Sequence, residues 1–191
     1  NKALRFNGLS SHGTTVASLV FGKIDTINIG HAPEAEAIFA KMHSPGKNDK
    51  MLEEAWLKSI EWCHQKGAQL VNSSVGYAGK PHKRDMLTGD KCKMSVAGNI
   101  AARKGMLIIN SAGNERLSNW KRIAFPGDAD SVLTVGSINS ETGVQSSFSS
   151  LGPTKDLRVK PNVTALGNVY WYNGFKLKEV FGTSFSSPLV T

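Results

Sequence analysis

The chain has 191 residues, 40% of them hydrophobic, and a formal net charge of +8, which suits one folded domain with a buried core. No stretch is apolar and long enough to span a bilayer, so we expect no membrane insertion. The basic residues are spread along the chain without a basic stripe or a reading motif, which argues against nucleic acid as a partner.

Short apolar runs alternate with helical patterns along the first half of the chain. Residues 35–42 predict a buried strand. A helix then begins at Asn48 or Asp49 and runs to about Lys66, because apolar residues recur at helical spacing and Gly67 follows as a stop. The predicted apolar stripe of this helix contains Leu52, Ala55, Trp56, Ile60 and Cys63.

The alternation continues through the second half. Residues 69–75 predict a strand, and a polar loop rich in lysine follows over residues 79–90. A second helix is predicted over residues 94–104, ending before Gly105. The residues that we expect to face inward are Val96, Ala97, Ile100 and Ala101. Residues 106–110 and 132–138 predict two further strands.

Strands that are continuously apolar and separated by helices indicate a parallel sheet covered on both faces. The predicted class is therefore α/β, a three-layer sandwich with a mostly parallel central sheet. Near the end, residues 169–172 and 175–181 predict a hairpin joined by Asn173-Gly174. No repeat or linker interrupts the pattern, so we treat residues 1–191 as one domain.

Three segments contain residues that could perform chemistry: SHGTTVA around His12, NSAGNE around Asn114 and FGTSFSSP around Ser184. Each has a structural explanation of its own, since serine often caps a helix, glycine and asparagine favour turns, and a lone histidine is usually not catalytic. Together they suggest a serine nucleophile, a histidine base and an amide that donates to an oxyanion. Their joint occurrence favours catalysis.

These segments resemble the signature blocks of the subtilisin-like serine protease family. HGTTVAS is similar to its histidine block, SAGNE to its oxyanion asparagine block, and GTSFSSP to its nucleophile block. KPNVTALG is similar to a Lys-Pro-Asp-Val-x-Ala-Pro-Gly block, from which Asn162 and Leu166 depart. The resemblance implies a serine endopeptidase with catalytic His12 and Ser184, and an oxyanion hole formed by Asn114 and the Ser184 backbone N–H.

The resemblance also implies where a polypeptide substrate binds. NSSVGY is similar to the segment that lines the substrate cleft of the family. The implied substrate-binding residues are Ser74, Val75 and Gly76 on one side and Ser111, Ala112 and Gly113 on the other. We expect Gly113 to leave room for a large apolar substrate residue.

The family's triad runs Asp, His, Ser along the chain, but none of the eleven residues before His12 is Asp or Glu. Asp25 and later aspartates follow the histidine helix, so they are poor substitutes. Both ends of the chain therefore look like truncations, and we expect the isolated chain to be inactive or nearly so. The alternative is a peptidase-like domain that only binds extended peptides.

No cofactor is needed for this chemistry. Structural calcium is frequent in the family, but the sequence offers no convincing site for it. The two cysteines, Cys63 and Cys92, form no CxxC pair, so thiolate metal binding is not expected and one disulfide is possible. Such peptidases are commonly exported, so we expect a secreted or cell-envelope protein, although the first residues contain no apolar signal core.

Overall fold

A four-stranded parallel sheet forms the centre of the fold. The computed structural model describes residues 12–42, 49–172 and 177–191. Strands β3–β6 line up in sequence order with parallel neighbours, which confirms the predicted α/β class. The elements that surround or form this sheet are α1 (His12–Phe21), β1 (Lys23–Ile24), β2 (Ile27–Asn28), α2 (Asp49–Gln65), β3 (Leu70–Ser73), α3 (Lys93–Arg103), β4 (Leu107–Ser111), β5 (Leu133–Ile138), β6 (Val163–Leu166), β7 (Asn168–Tyr172), β8 (Leu177–Phe181) and α4 (Thr183–Ser186).

Two adjacent residues of β3 show that helices cover both faces of the sheet. Ser73 accepts a hydrogen bond from the Trp56 indole Nε1 of α2 at 3.0 Å. Its neighbour Asn72 accepts one from Ser187 Oγ, directly after α4, at 2.8 Å. Successive side chains of a strand point to opposite faces, so α2 and α4 lie on opposite sides of β3.

Helix α2 follows its predicted stripe. Leu52, Trp56, Ile60 and Cys63 are all buried, with Trp56 only 1% exposed, while the fifth predicted residue, Ala55, is half-buried. Both cysteines are free and buried, and burial raises the pKa of each thiol. These observations fit cysteines that act as small core residues.

Helix α3 turns a different face inward from the one that its apolar residues indicate. Val96 and Ile100 are 37% and 42% exposed, whereas Met94 and Ala101 are buried. Gly98 is also buried, and a Cβ placed on it would lie only 2.7 Å from Val132 Cγ2. Close packing on Val132 therefore decides the rotation of the helix. Two of the four predicted inward positions, Val96 and Ile100, are wrong.

The predicted strand over residues 35–42 is absent. This segment has no regular secondary structure, and Ile38 and Phe39 are 40% and 41% exposed. A strand needs a hydrogen-bonded neighbour, and no strand among the described residues pairs with this segment. The predicted hairpin does form, with β7 and β8 antiparallel, while its Asn173-Gly174 turn lies outside the described residues.

A buried lysine links β6 to the start of β5. Lys160 is 5% exposed, and its Nζ donates to Val132 O at 2.6 Å, Thr134 Oγ1 at 3.2 Å and Asn162 Oδ1 at 2.9 Å. All three acceptors are neutral. Burial therefore lowers the pKa of this ammonium from 10.5 to about 8, since desolvation disfavours the charged form.

This lysine makes stability depend on pH. The folded chain holds the Lys160 proton more weakly than the unfolded chain, so stability rises as the pH increases from about 8 to 10.5. Asn162→Asp restores the aspartate that the family pattern has at this position and is expected to raise the pKa of Lys160. Stability should then increase less between about pH 8 and 10.5, and the free energy of unfolding at pH 7 should be about 1 kcal/mol higher. Urea unfolding at several pH values measures this. Lys160→Met is the control without a titrating group, and an unchanged slope in Asn162→Asp would contradict the assignment.

Candidate active site

The turn that presents Ser184 begins at a glycine. Gly182 has φ +149°, a conformation that side chains disfavour, and its N–H donates to Gly167 O at 2.8 Å. This bond ties the turn to the segment between β6 and β7. Helix α4 then starts at Thr183, so Ser184 lies in its first turn.

Ser184 is joined to the end of β3 by two hydrogen bonds. Its Oγ donates to the backbone O of Ser74 at 3.2 Å, and Ser74 Oγ donates to the backbone O of Ser184 at 2.7 Å. The two residues are 110 positions apart in sequence. The predicted nucleophile and a predicted substrate-binding residue are therefore in direct contact.

Asn72, which lies in β3 two residues before Ser74, supports this contact. Its Nδ2 donates to Ser74 Oγ at 3.0 Å, and its Oδ1 accepts from Ser187 Oγ at 2.8 Å and from Thr191 Oγ1 at 3.2 Å. One side chain thus fixes both Ser74 and the segment after α4. Sequence reasoning missed Asn72, and the available signal was a polar residue near the end of an otherwise apolar strand.

Asn114 is oriented by Thr183. Asn114 Oδ1 accepts hydrogen bonds from the Thr183 backbone N at 2.9 Å and from Thr183 Oγ1 at 3.0 Å. Both donors hold the carbonyl end of the amide, so the Nδ2 end faces Gly182, where an added Cβ would lie 3.4 Å from it. No described residue accepts a hydrogen bond from Nδ2. The amide therefore keeps a free donor beside the nucleophile turn.

His12 is the first residue of α1 and lies next to the nucleophile turn. Its ring centroid is 5.9 Å from that of Phe185, the residue after Ser184. Phe185 is buried at 7% exposure, while His12 is exposed. Helix α1 also contacts α4 and the turn Ser187–Leu189. His12, Asn114 and Ser184 thus lie around one turn.

The first predicted wall of the cleft has free backbone groups. Ser74 is hydrogen-bonded to Ser184. Within the described part of the chain, Val75 and Gly76 make no hydrogen bond to another backbone group. Tyr77 resumes pairing, exchanging two 3.0 Å bonds with Phe125. Residues 75–76 are therefore available to an extended peptide that adds as a strand.

The second predicted wall has its backbone largely occupied. Ser111 and Ala112 are buried at 2% and 0% exposure. Gly113 N donates to Thr183 Oγ1 at 3.1 Å, and Gly113 O accepts from Ser150 N at 2.9 Å. Ser111 and Ala112 therefore support this wall from below, and only Gly113 reaches its surface.

Ala124 fills the space between the two walls, and sequence reasoning missed it. A Cβ on Gly76 would lie 2.8 Å from Ala124 Cβ, and a Cβ on Gly113 would lie 3.0 Å from both Ala124 Cβ and Ser150 Oγ. Gly113 also has φ +99°. The room that we expected Gly113 to leave for a large substrate residue is thus partly taken up by the protein itself.

The described residues contain neither a His, Cys, Asp and Glu cluster for a metal ion nor a helix that could span a membrane. No group of three or more His, Cys, Asp or Glu side chains in these ranges could hold a metal ion. None of the helices in the same ranges has the length and apolar character needed to cross a bilayer.

Comparison with known proteins identifies the family. The model of the subtilase family, peptidase S8, matches residues 5–191. Subtilisin DY of Bacillus licheniformis is 28% identical over 184 residues, which are 95% of this chain and 61% of that protein. The S218A mutant of the protease domain of PatA superposes with a TM-score of 0.77 at 24% identity, covering 100% of this chain and 65% of that one. The prenylagaramide maturation protease PagA gives a TM-score of 0.69 at 25% identity, covering 94% and 61%.

These relatives are longer than this chain, which spans less than two thirds of each of them. The family match nevertheless covers almost all of the 191 residues, and the solved structures share the fold described above. The chain belongs to the subtilase family.

Proposed function

We propose that this chain contributes the nucleophile, the base and the oxyanion hole of an endopeptidase that works through an acyl-enzyme. Ser184 Oγ attacks the peptide carbonyl while His12 takes its proton and returns it to the leaving amine. Water then hydrolyses the Ser184 ester. The observation that carries the proposal is the pair of Thr183 bonds to Asn114 Oδ1, because they leave Nδ2 free beside Ser184.

The oxyanion would be held by two donors, Asn114 Nδ2 and the Ser184 backbone N–H. Donors that are fixed before the reaction stabilise developing charge without reorganisation. In the present structure Ser184 Oγ donates to Ser74 O at 3.2 Å. Attack therefore requires that this long bond be released and the hydroxyl proton be directed to His12.

A polypeptide substrate would bind in extended form along residues 74–76. The free backbone groups of Val75 and Gly76 support this placement, because a strand added to a sheet edge needs unpaired donors and acceptors. Gly113 would form the facing wall, supported by Ser111 and Ala112. We also propose export from the cell, as is common for subtilases, which immunoblotting of culture medium and lysate would check.

Asn114→Leu tests the oxyanion hole in a catalytically competent polypeptide that contains this chain. It is expected to lower kcat by about 10²–10³ with little change in KM, since the donor acts on the transition state. Thr183→Val keeps Nδ2 but loosens its anchor, so a smaller loss of up to about tenfold is expected. Ser184→Ala gives the background rate, and an unchanged kcat in Asn114→Leu would refute this role.

The second candidate function is peptide binding without hydrolysis. The backbone groups of Val75 and Gly76, which make no hydrogen bond to another described backbone group, would serve it equally well, whereas binding alone does not require His12, Asn114 and Ser184 together. A fluorophosphonate probe distinguishes the two functions. Labelling of Ser184 that depends on His12 would support catalysis, and the lack of any labelling in a polypeptide that supplies the third triad group would support the binding module.

A further inference from the structure

Two loops leave the proposed cleft, one from each wall. Residues 77–92 follow the wall formed by residues 74–76, and residues 115–122 follow Asn114. Together they contain seven Lys or Arg residues and three Asp or Glu residues, an excess of four positive charges. Half of the chain's formal charge of +8 is therefore concentrated on these two loops, which we call the rim loops.

The rim cations are not neutralised by neighbouring acids. Lys80, Lys83, Arg84, Lys91 and Lys121 are all exposed. None of them forms an ion pair with a carboxylate in the described parts of the chain, where the ion pairs involve only His82 and Arg158. Charges of one sign around a cleft raise the local concentration of ligands of the opposite sign.

The first rim loop is held in place at its centre. The His82 ring is buried, packs edge-on against Phe125 at a centroid distance of 4.9 Å, and has its Nε2 2.7 Å from Glu53 Oε1. Further along, Gly89 N donates to Asp128 Oδ2 at 2.8 Å. Lys80, Lys83 and Arg84 flank the His82 anchor, so their backbone positions are fixed.

The same anchor places the two rim loops around one cleft. Phe125, on which His82 packs, pairs with Tyr77 next to the first wall. Ala124, its neighbour, fills the space between Gly76 and Gly113. Residues 115–122 therefore return to the cleft immediately before Ala124, which brings the exposed Lys121 near its border, whereas Arg116 and Arg122 donate to Gln145 Oε1 and Gly152 O.

We propose that the rim loops select acidic polypeptides, with Asp or Glu on either side of the residue whose carbonyl group lies at Ser184. This inference rests on the proposed function, because it assigns a substrate class to the same cleft. A folded cleft with free strand-like backbone groups favours an extended peptide over a nucleic acid, which would need a stacking surface. Exposed charge pairs contribute mainly to selectivity and association rate, and they weaken with salt.

The test measures binding, so it does not require catalysis. The Ser184→Ala variant of the chain is mixed with three labelled peptides of equal length, and binding is followed by fluorescence anisotropy. The peptides differ only in their flanking residues, which are acidic, neutral or basic. A labelled single-stranded DNA with about the same net charge as the acidic peptide is the fourth ligand. The acidic peptide is expected to bind about tenfold more tightly than the neutral one at low salt, a difference that shrinks at 0.5 M salt to about twofold.

Two triple variants with the same net charge locate the effect. Lys80→Glu, Lys83→Glu and Arg84→Glu together are expected to abolish the preference for the acidic peptide. The control variant combines Lys66→Glu, Arg103→Glu and Lys104→Glu. These exposed residues lie near the starts of β3 and β4, at the opposite end of the strands, so this variant is expected to keep most of the preference for the acidic peptide. Circular dichroism confirms that both variants fold.

The outcomes distinguish a failure of the rim-loop proposal from a failure of the proposed cleft. If the neutral peptide binds but the acidic one binds no better, or if both triple variants lose the preference equally, the rim-loop proposal is overturned and the proposed cleft survives. Tighter binding of the DNA than of the acidic peptide also overturns it. If no peptide binds at all, the proposed cleft is itself refuted.

Discussion

Residues 1–191 alone are expected to hydrolyse peptides about ten-thousandfold more slowly than a polypeptide in which a carboxylate reaches His12. The third triad group holds the imidazole in the right tautomer and stabilises its cation. None of residues 1–11 is Asp or Glu. Asp25 lies beyond the far end of α1, a helix of ten residues and therefore about 15 Å long. Asp25 is thus too distant to act on His12.

A fluorogenic peptide assay measures this difference. The isolated chain is compared with a polypeptide that extends it by an Asp-bearing strand ahead of α1, and each is compared with its own Ser184→Ala variant. His12→Ala is the second control, and it should cost the extended form far more than the isolated chain. Robust turnover by the isolated chain that depends on Ser184 would contradict the expectation.

Trp56→Ala is expected to lower the free energy of unfolding by about 3–5 kcal/mol. Trp56 is 1% exposed in a core cluster with Ile60, Leu87 and Met94. Its indole N–H also bonds Ser73 Oγ at 3.0 Å, and Ser73 is itself 6% exposed. The substitution thus opens a cavity and leaves a buried hydroxyl without its partner, next to the residue that contacts Ser184.

Urea unfolding followed by circular dichroism tests this. Trp62→Ala is the matched control, because Trp62 lies on the same helix but is 39% exposed, and a loss of at most about 1 kcal/mol is expected. Trp56→Phe keeps most of the ring and removes the donor, so a loss of about 1–2 kcal/mol is expected. Equal losses at positions 56 and 62 would show that α2 does not pack as described.

The composition of the loop at residues 79–90 predicts its polarity but not its position. Its lysines are evident in the sequence, and they predict only a polar, solvated segment. The buried contact of His82 with Phe125 and Glu53 fixes the middle of that segment beside the proposed cleft. A histidine between a proline and a lysine gives no local sign of burial, because the partners that bury it lie about 30 and 40 positions away.

The sequence by itself determined the α/β class, helix α2 with its buried stripe, and the three segments around His12, Asn114 and Ser184. These depend on apolar spacing and on rare residue combinations within about ten neighbouring positions, so they are visible locally. Only the tertiary structure decided that residues 35–42 form no strand, that α3 turns Gly98 and not Val96 inward, and that Thr183 orients Asn114. The physical reason is that strand pairing, helix rotation and amide orientation are set by contacts between distant residues, such as the 69 positions that separate Thr183 from Asn114.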